Sequence, residues 1–156
     1  MAEGFTHLDE EGNARMVDVS SKDTTVRIAE AESFVVLSDD VRRRLFAGDL
    51  PKGDALGVAR IAAIMAAKQT STLVPLCHPI PIDGIDVDIE EHSSGVRIVV
   101  TARTTAKTGI EMEAMTAASI GAVSIYDMVK GLDRGAQIGP IRLLRKTGGK
   151  SGEWQR

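Results

Sequence analysis

The sequence predicts an α+β domain, and three observations carry that prediction. Residues 109–131, GIEMEAMTAASIGAVSIYDMVKG, read as one long helix from the three-and-four spacing of their apolar positions. Ile85, Val87 and Ile89 alternate with Asp86, Asp88 and Glu90, and Val96, Ile98 and Val100 follow beyond a turn, which makes a hairpin. The remaining apolar segments complete an order of strand, helix pair, strand, strand, helix, strand. That order is the split βαββαβ pattern of ferredoxin-like folds, an antiparallel sheet with helices packed on one face. The other face is left to be covered, and oligomerisation is the usual remedy.

Residues 1–23 are polar and without periodicity and are expected to be mobile. Within them Met16-Val17-Asp18-Val19 is an apolar patch suited to docking on a partner. The folded domain is expected to span residues 24–147. Its first strand, residues 25–37, carries Val26, Ile28, Phe34, Val35, Val36 and Leu37. Ser38 followed by Asp39 and Asp40 is an N-cap with an acidic first turn, and the short helix it opens ends at Gly48. Pro51 and Gly53 mark a loop, after which Asp54 caps a second helix running through Leu56, Ala59, Ala63, Ile64 and Ala67. Three prolines in LVPLCHPIP, from Leu73 to Pro81, keep that segment extended and irregular. The long helix opens on a Thr108-x-x-Glu111 capping box and is expected to stop at Gly131 in the left-handed conformation. Met112, Met115, Ser119, Ala122, Tyr126 and Val129 recur at helical steps, and that stripe is expected to face the core. Residues 138–146 form the last strand, which Pro140 restricts to a sheet edge or a strand start. Residues 148–156 are expected to be a flexible Gly-rich tail.

Composition narrows the classes of function. A chain of 156 residues is most economically one domain with its own core. With only 3% aromatic residues, that core must be built from aliphatics, Ala and Met. A net charge of −3 argues against coating nucleic acid by bulk electrostatics, though a local basic pocket remains open. The single cysteine excludes an intrachain disulfide and fits a reducing compartment. No stretch approaches the ~20 apolar residues of a membrane span, and the N-terminal residues lack the apolar segment of a signal peptide. The expectation is a cytoplasmic protein that binds neither nucleic acid nor membrane.

The candidate chemistry sits on the long helix and two loops. Asp127 and Lys130 are three apart and share a face. A carboxylate near a helix C-terminus is opposed by the dipole and calls for a partner, either Lys130 or a reacting group. Glu113 lies fourteen residues earlier, roughly 21 Å away at ~1.5 Å per residue. One small-molecule site within one chain cannot touch both. If both serve one reaction, two copies of the helix must meet; otherwise Glu113 is an ordinary first-turn carboxylate favoured by the dipole. Cys77 and His78, adjacent in an extended chain, point to opposite sides and form no dyad. His78 is either a site residue, able both to donate and to accept, or a structural histidine bonded to backbone. The three histidines lack metal-ligand spacing, so no zinc site is expected. Lys52 stands in a Pro- and Gly-fixed loop, and Lys68 ends the second helix, where the dipole favours a cation. Gly148-Gly149-Lys150-Ser151 fails as a P-loop, because Leu144 stands where a glycine is needed and no helix follows. Those glycines with Lys146 and Lys150 can still fold over a phosphate-bearing ligand.

Taken in order, Lys52-Gly53-Asp54, Ala59-Arg60-Ile61-Ala62, Pro75-Leu76-Cys77-His78-Pro79, Thr108-Gly109-Ile110-Glu111-Met112-Glu113-Ala114, Ile125-Tyr126-Asp127-Met128 and Gly148-Gly149-Lys150-Ser151-Gly152 resemble the molybdenum cofactor biosynthesis protein C family, the cyclic pyranopterin monophosphate synthases. The resemblance spans nearly the whole chain. It implies a ferredoxin-like subunit in a hexamer, a trimer of dimers, with active sites at the dimer interface. It implies conversion of 3′,8-cyclo-7,8-dihydroguanosine 5′-triphosphate, made from GTP by a partner radical enzyme, into cyclic pyranopterin monophosphate and diphosphate. By the same resemblance Asp127 is the catalytic residue, with Lys52 and Lys130 as acid–base companions. Leu76, Cys77, His78, Met112 and Glu113 would line the substrate site, and Lys68 and Lys146 would meet phosphates. No resident cofactor is implied; Mg²⁺ would arrive on the substrate phosphates. A lysine among neighbouring cations is expected to have a lowered pKa and so to act as a base. The alternative is a nucleotide-binding regulatory module that uses the same lysines without turnover.

Overall fold

The computed structural model describes residues 7–9, 11–150 and 152–156. Its elements are β1 (Thr25–Val36), α1 (Asp39–Ala47), α2 (Ala55–Lys68), α3 (Thr70–Leu73), β2 (Gly84–His92), β3 (Gly95–Ala106), α4 (Glu111–Val129), β4 (Gln137–Thr147) and β5 (Trp154–Gln155). The strands form one sheet in the order β2-β3-β1-β4-β5, with every neighbouring pair antiparallel. This is the ferredoxin-like α+β arrangement that the element order predicts, with a short fifth strand added. Trp154 and Gln155, in the tail to which the sequence assigns no element, pair with Lys146 and Arg145 of β4. Pro140 lies where the pairing of β4 with β1 is irregular, between the Ser33–Ile141 and Val35–Ile138 pairs, a bulge that accommodates a residue without an N–H.

Alternation along the strands divides the sheet. Ala29, Ala31, Ser33 and Val35 of β1 are buried, as are Val96, Ile98, Val100 and Ala102 of β3. Both sets lie on the face covered by helices. Small residues on the central strand let α4 approach closely, and Ser33 Oγ donates to the Ala118 carbonyl at 2.7 Å. Gly121 extends that closeness, since a Cβ there would lie 3.4 Å from Ile98 Cδ1 and 3.5 Å from the Ala63 Cβ. Anything larger than a methyl group would push α4 off both the sheet and α2. Gly95 closes the hairpin at φ +150, where a Cβ would collide with the Val35 carbonyl.

Three local expectations for the long helix are corrected. The Thr108–Glu111 capping box does not form: the N-cap is Ile110, without a side-chain bond, and Glu111 instead accepts from Lys146 Nζ at 3.0 Å. A full charge on Lys146 outcompetes a backbone N–H for that carboxylate. Gly131 is not the left-handed stop, since Lys130 caps in the right-handed region and Leu132 and Asp133 both donate to the Val129 carbonyl. The core face is also rotated from the expected stripe. It runs through Ala114, Ala117, Ala118, Gly121, Ala122, Ile125 and Val129, while Met112 is 41% exposed. Sheet and α2 together grip the smallest residues, and the bulkier Met and Tyr side chains flank that seam.

The opposite sheet face carries one buried charge. Glu32, 2% exposed, accepts from Arg97 Nε at 2.7 Å and from Arg142 Nε at 2.6 Å. No helix of the described chain is long and apolar enough to cross a membrane.

Candidate active site

All the predicted site residues but Lys68 gather at the two ends of α4. At its C-terminal end, Asp127 Oδ1 lies 2.7 Å from Lys130 Nζ and Oδ2 lies 3.0 Å from Lys52 Nζ. Lys52 also donates to the Asp127 carbonyl at 2.7 Å. Two cations thus answer the unfavourable dipole that the sequence raised at Asp127. Lys130 first, and Lys52 second, hold the Asp127 carboxyl below its usual range. The expectation of a lowered lysine pKa is corrected at Lys130, which Asp127 pushes upward. Its nearest charge is a carboxylate rather than another cation. Lys130 is therefore an ammonium and Asp127 an ionised base.

The other end opens on a cavity of about 520 Å³ lined by Leu76, Cys77, His78, Met112 and Glu113 among others. The proline-rich loop supplies the first three, and the opening turn of α4 the last two. His78 Nε2 donates to the Val17 carbonyl at 2.7 Å, which fixes the proton on that nitrogen. Burial pushes the Glu113 carboxyl above its ordinary value, and the charge of Glu111 adds to the effect. Burial likewise raises the Cys77 thiol, with Glu113 a second cause, so the sulfur stays protonated and is a poor nucleophile. Lys146 reaches the cavity wall through its ion pair with Glu111, which itself lines the cavity. Lys68 joins neither group: it stands exposed at the end of α2.

A neighbouring cavity of about 440 Å³ is lined by Lys22, Asp23, Thr25, Arg27, Gly149 and Lys150, and Lys22 borders both cavities. Thr25 Oγ1 is buried there without a hydrogen-bond partner among the described residues. The sequence pointed to Lys150 and the glycines as a possible phosphate cover. It missed Lys22 and Arg27, whose only signal was a basic side chain at each end of the entry into β1. Among the described residues no three His, Cys, Asp or Glu side chains group as a metal cage.

Within one chain the two ends of α4 do not form one site, in keeping with the ~21 Å that separates residues fourteen apart on a helix. An exposed apolar stripe joins them. The loop before α2 brings Lys52 to Asp127, and the chain after α2 leads through α3 to the Cys77–His78 loop at the far end of α4. Along α2, Val58, Ile61 and Met65 are 49%, 58% and 60% exposed. Lys68 follows at the next helical step.

Fold and site together define a ferredoxin-like α+β protein whose carboxylates and lysines are divided between the two ends of its long helix. Residues 16–149 match the model of the MoaC family, and the chain belongs to that family. A relative from Corynebacterium glutamicum (strain R) is 54% identical over 150 residues, covering 96% of each chain. One from Nocardioides sp. is 54% identical over 155 residues, covering 97% of this chain and 95% of its own. One from Roseiflexus castenholzii is 55% identical over 151 residues, covering 96% of each. All three are named cyclic pyranopterin monophosphate synthase.

Proposed function

We propose that this protein is a cyclic pyranopterin monophosphate synthase of molybdenum cofactor biosynthesis, a lyase that converts 3′,8-cyclo-7,8-dihydroguanosine 5′-triphosphate to cyclic pyranopterin monophosphate and diphosphate. The observation that carries the reading is the ionised Asp127 held between two lysines, at the opposite end of α4 from a ligand-sized cavity. The names of relatives more than half identical support the choice of reaction. Asp127 takes protons from the substrate and the Lys130 ammonium returns them, as ring opening and pterin formation require. Lys52 holds Asp127 in place and faces the phosphate chain. Cyclisation of the inner phosphate expels diphosphate, and the surrounding ammonium and guanidinium groups stabilise the charge that develops on the leaving oxygen. Any Mg²⁺ enters with the substrate phosphates.

In this reading the site is completed between subunits. A two-fold axis crossing the Val58–Ile61–Met65 stripe exchanges the ends of the paired helices. It brings Asp127, Lys52 and Lys130 of one chain to the His78–Glu113 cavity of its partner and draws Lys68 into the seam. Burying the stripe is favourable at about 25 cal/mol per Å² of apolar surface. Three such dimers make the hexamer. The enzyme works in the cytoplasm, downstream of a radical GTP cyclase. Incubation with the cyclised GTP derivative tests the proposal: the enzyme releases diphosphate stoichiometrically with product. A regulatory module that only binds nucleotide releases none, and that result would overturn the reading.

A further inference from the structure

Residues 16–22 cross the mouth of the His78–Glu113 cavity without belonging to the sheet or to a helix. Val17 and Val19 are half-buried against the cavity and the other side chains of this strap are exposed. Among the described residues, two hydrogen bonds tie the strap to the rest of the chain. His78 Nε2 donates to the Val17 carbonyl at 2.7 Å, and Lys107 Nζ donates to the Ser20 carbonyl at 2.6 Å. Inside the strap, Ser20 N donates to Asp18 Oδ1 and Lys22 N to the Val19 carbonyl, which makes it a compact double turn. The strap ends on Lys22, which borders both the His78–Glu113 cavity and the Arg27–Lys150 cavity.

We propose that His78 is a positioning residue, holding the strap over the substrate cavity through its bond to Val17 rather than exchanging protons with the substrate. A carbonyl oxygen only accepts, so Nε2 must keep its hydrogen and cannot serve as a base at that atom. The ring is fixed for this task, since His78 lies between Pro75 and Pro79 in a turn closed by Cys77 N on the Val74 carbonyl. Seating the strap places Val17 and Val19 as one wall of the cavity and Lys22 at the junction of the two cavities. The inference rests on the reading of this cavity as the substrate pocket, and its test separates the two.

Glutamine places an amide N–H near the position of Nε2, whereas asparagine reaches only as far as Nδ1. In H78N, KM for the cyclised GTP derivative should rise about five- to tenfold, the equivalent of one hydrogen bond, with a smaller change in kcat. Hydrogen exchange at the Ser20 and Lys22 amides should quicken by a similar factor. H78Q should recover most of the KM loss and return strap exchange towards that of the wild type. The inference is overturned if H78Q is as impaired in kcat as H78N while its strap exchanges at the wild-type rate. It is overturned equally if strap exchange in H78N is unchanged. Strap exchange needs no substrate, so a wild-type protein that released no diphosphate would sink the functional reading and leave this measurement decisive for the strap.

Discussion

Replacing Glu113 by glutamine separates what the carboxylate does for the fold from what it does for the site. The side chain is 4% exposed, and the neighbouring charge that acts on it, Glu111, is of the same sign. Its pKa in the folded chain is raised above 4.5, so the folded state holds the proton more tightly than the unfolded chain does. The sign follows from linkage: the carboxyl's favourable contribution is complete below pH 4.5 and is lost as pH rises through the folded value. At pH 7 the ionised group therefore destabilises the protein. An uncompensated buried polar group costs about 1–3 kcal/mol, and an open cavity that admits water puts Glu113 at the lower end. Removing the charge should add about 1 kcal/mol at pH 7, or about 2–4 °C in Tm for a chain of this length. At pH 4 the gap should close. Thermal unfolding at the two pH values, with diphosphate release measured at pH 7, reads both effects: Glu113→Gln should be more stable and slower. A variant that is less stable at pH 7, or a stability gap indifferent to pH, would refute the account of Glu113 as a charge kept buried for use.

Asp127→Asn keeps the shape of the lysine-bound side chain but removes the base, so kcat should fall about 10²–10⁴-fold. Its Tm should barely move, because exposed ion pairs contribute little to stability. Glu32→Gln tests the opposite sheet face. Burial pushes that carboxyl up, but Arg142 and Arg97 outweigh burial and hold it below 4.5. Its stabilisation is thus present above pH 4.5 and lost as pH falls. The variant should lose about 2 kcal/mol at pH 7, less than for a fully buried pair because both arginines stay partly exposed, and urea unfolding from pH 3 to 7 should show a flatter acid limb. Ile61→Asp, on the exposed stripe of α2, should leave the circular dichroism spectrum unchanged while sedimentation shows a smaller species and diphosphate release is lost.

What the sequence disclosed was mostly local. Strand alternation located the β2–β3 hairpin, because a half-buried strand writes its burial at every second residue. β1 was located by its apolar content, and its buried face of Ala29, Ala31, Ser33 and Val35 was not legible. Asp54 was legible as a cap, and its Oδ1 does accept from Gly57 N at 2.8 Å. The ends of α4 were not legible, since Glu111 had a choice between the helix it opens and Lys146 thirty-five residues later. Only tertiary structure settles such a competition. The same holds for the rotated core face. Spacing allowed both stripes, and the close approach of α2 and the sheet selected the one made of Ala and Gly. At the site, Asp127 and Lys130 announced themselves by spacing and by their clash with the dipole. Lys22 and Arg27 did not, because two segments far apart in the chain, the entry into β1 and the Gly-rich tail, had to fold together before they met Lys150 around one cavity.

Mixing two impaired variants reads the shared-site claim most directly. Asp127→Asn damages one end of α4 and Glu113→Gln the other, so equal amounts unfolded together and refolded should form hybrid pairs as half of the population. Each hybrid pair carries one undamaged site of two, and diphosphate release should return to about a quarter of the wild-type rate above the two parental baselines. A mixture no faster than the average of its parents would mean that each chain works with its own Asp127 and Glu113, and would contradict the account.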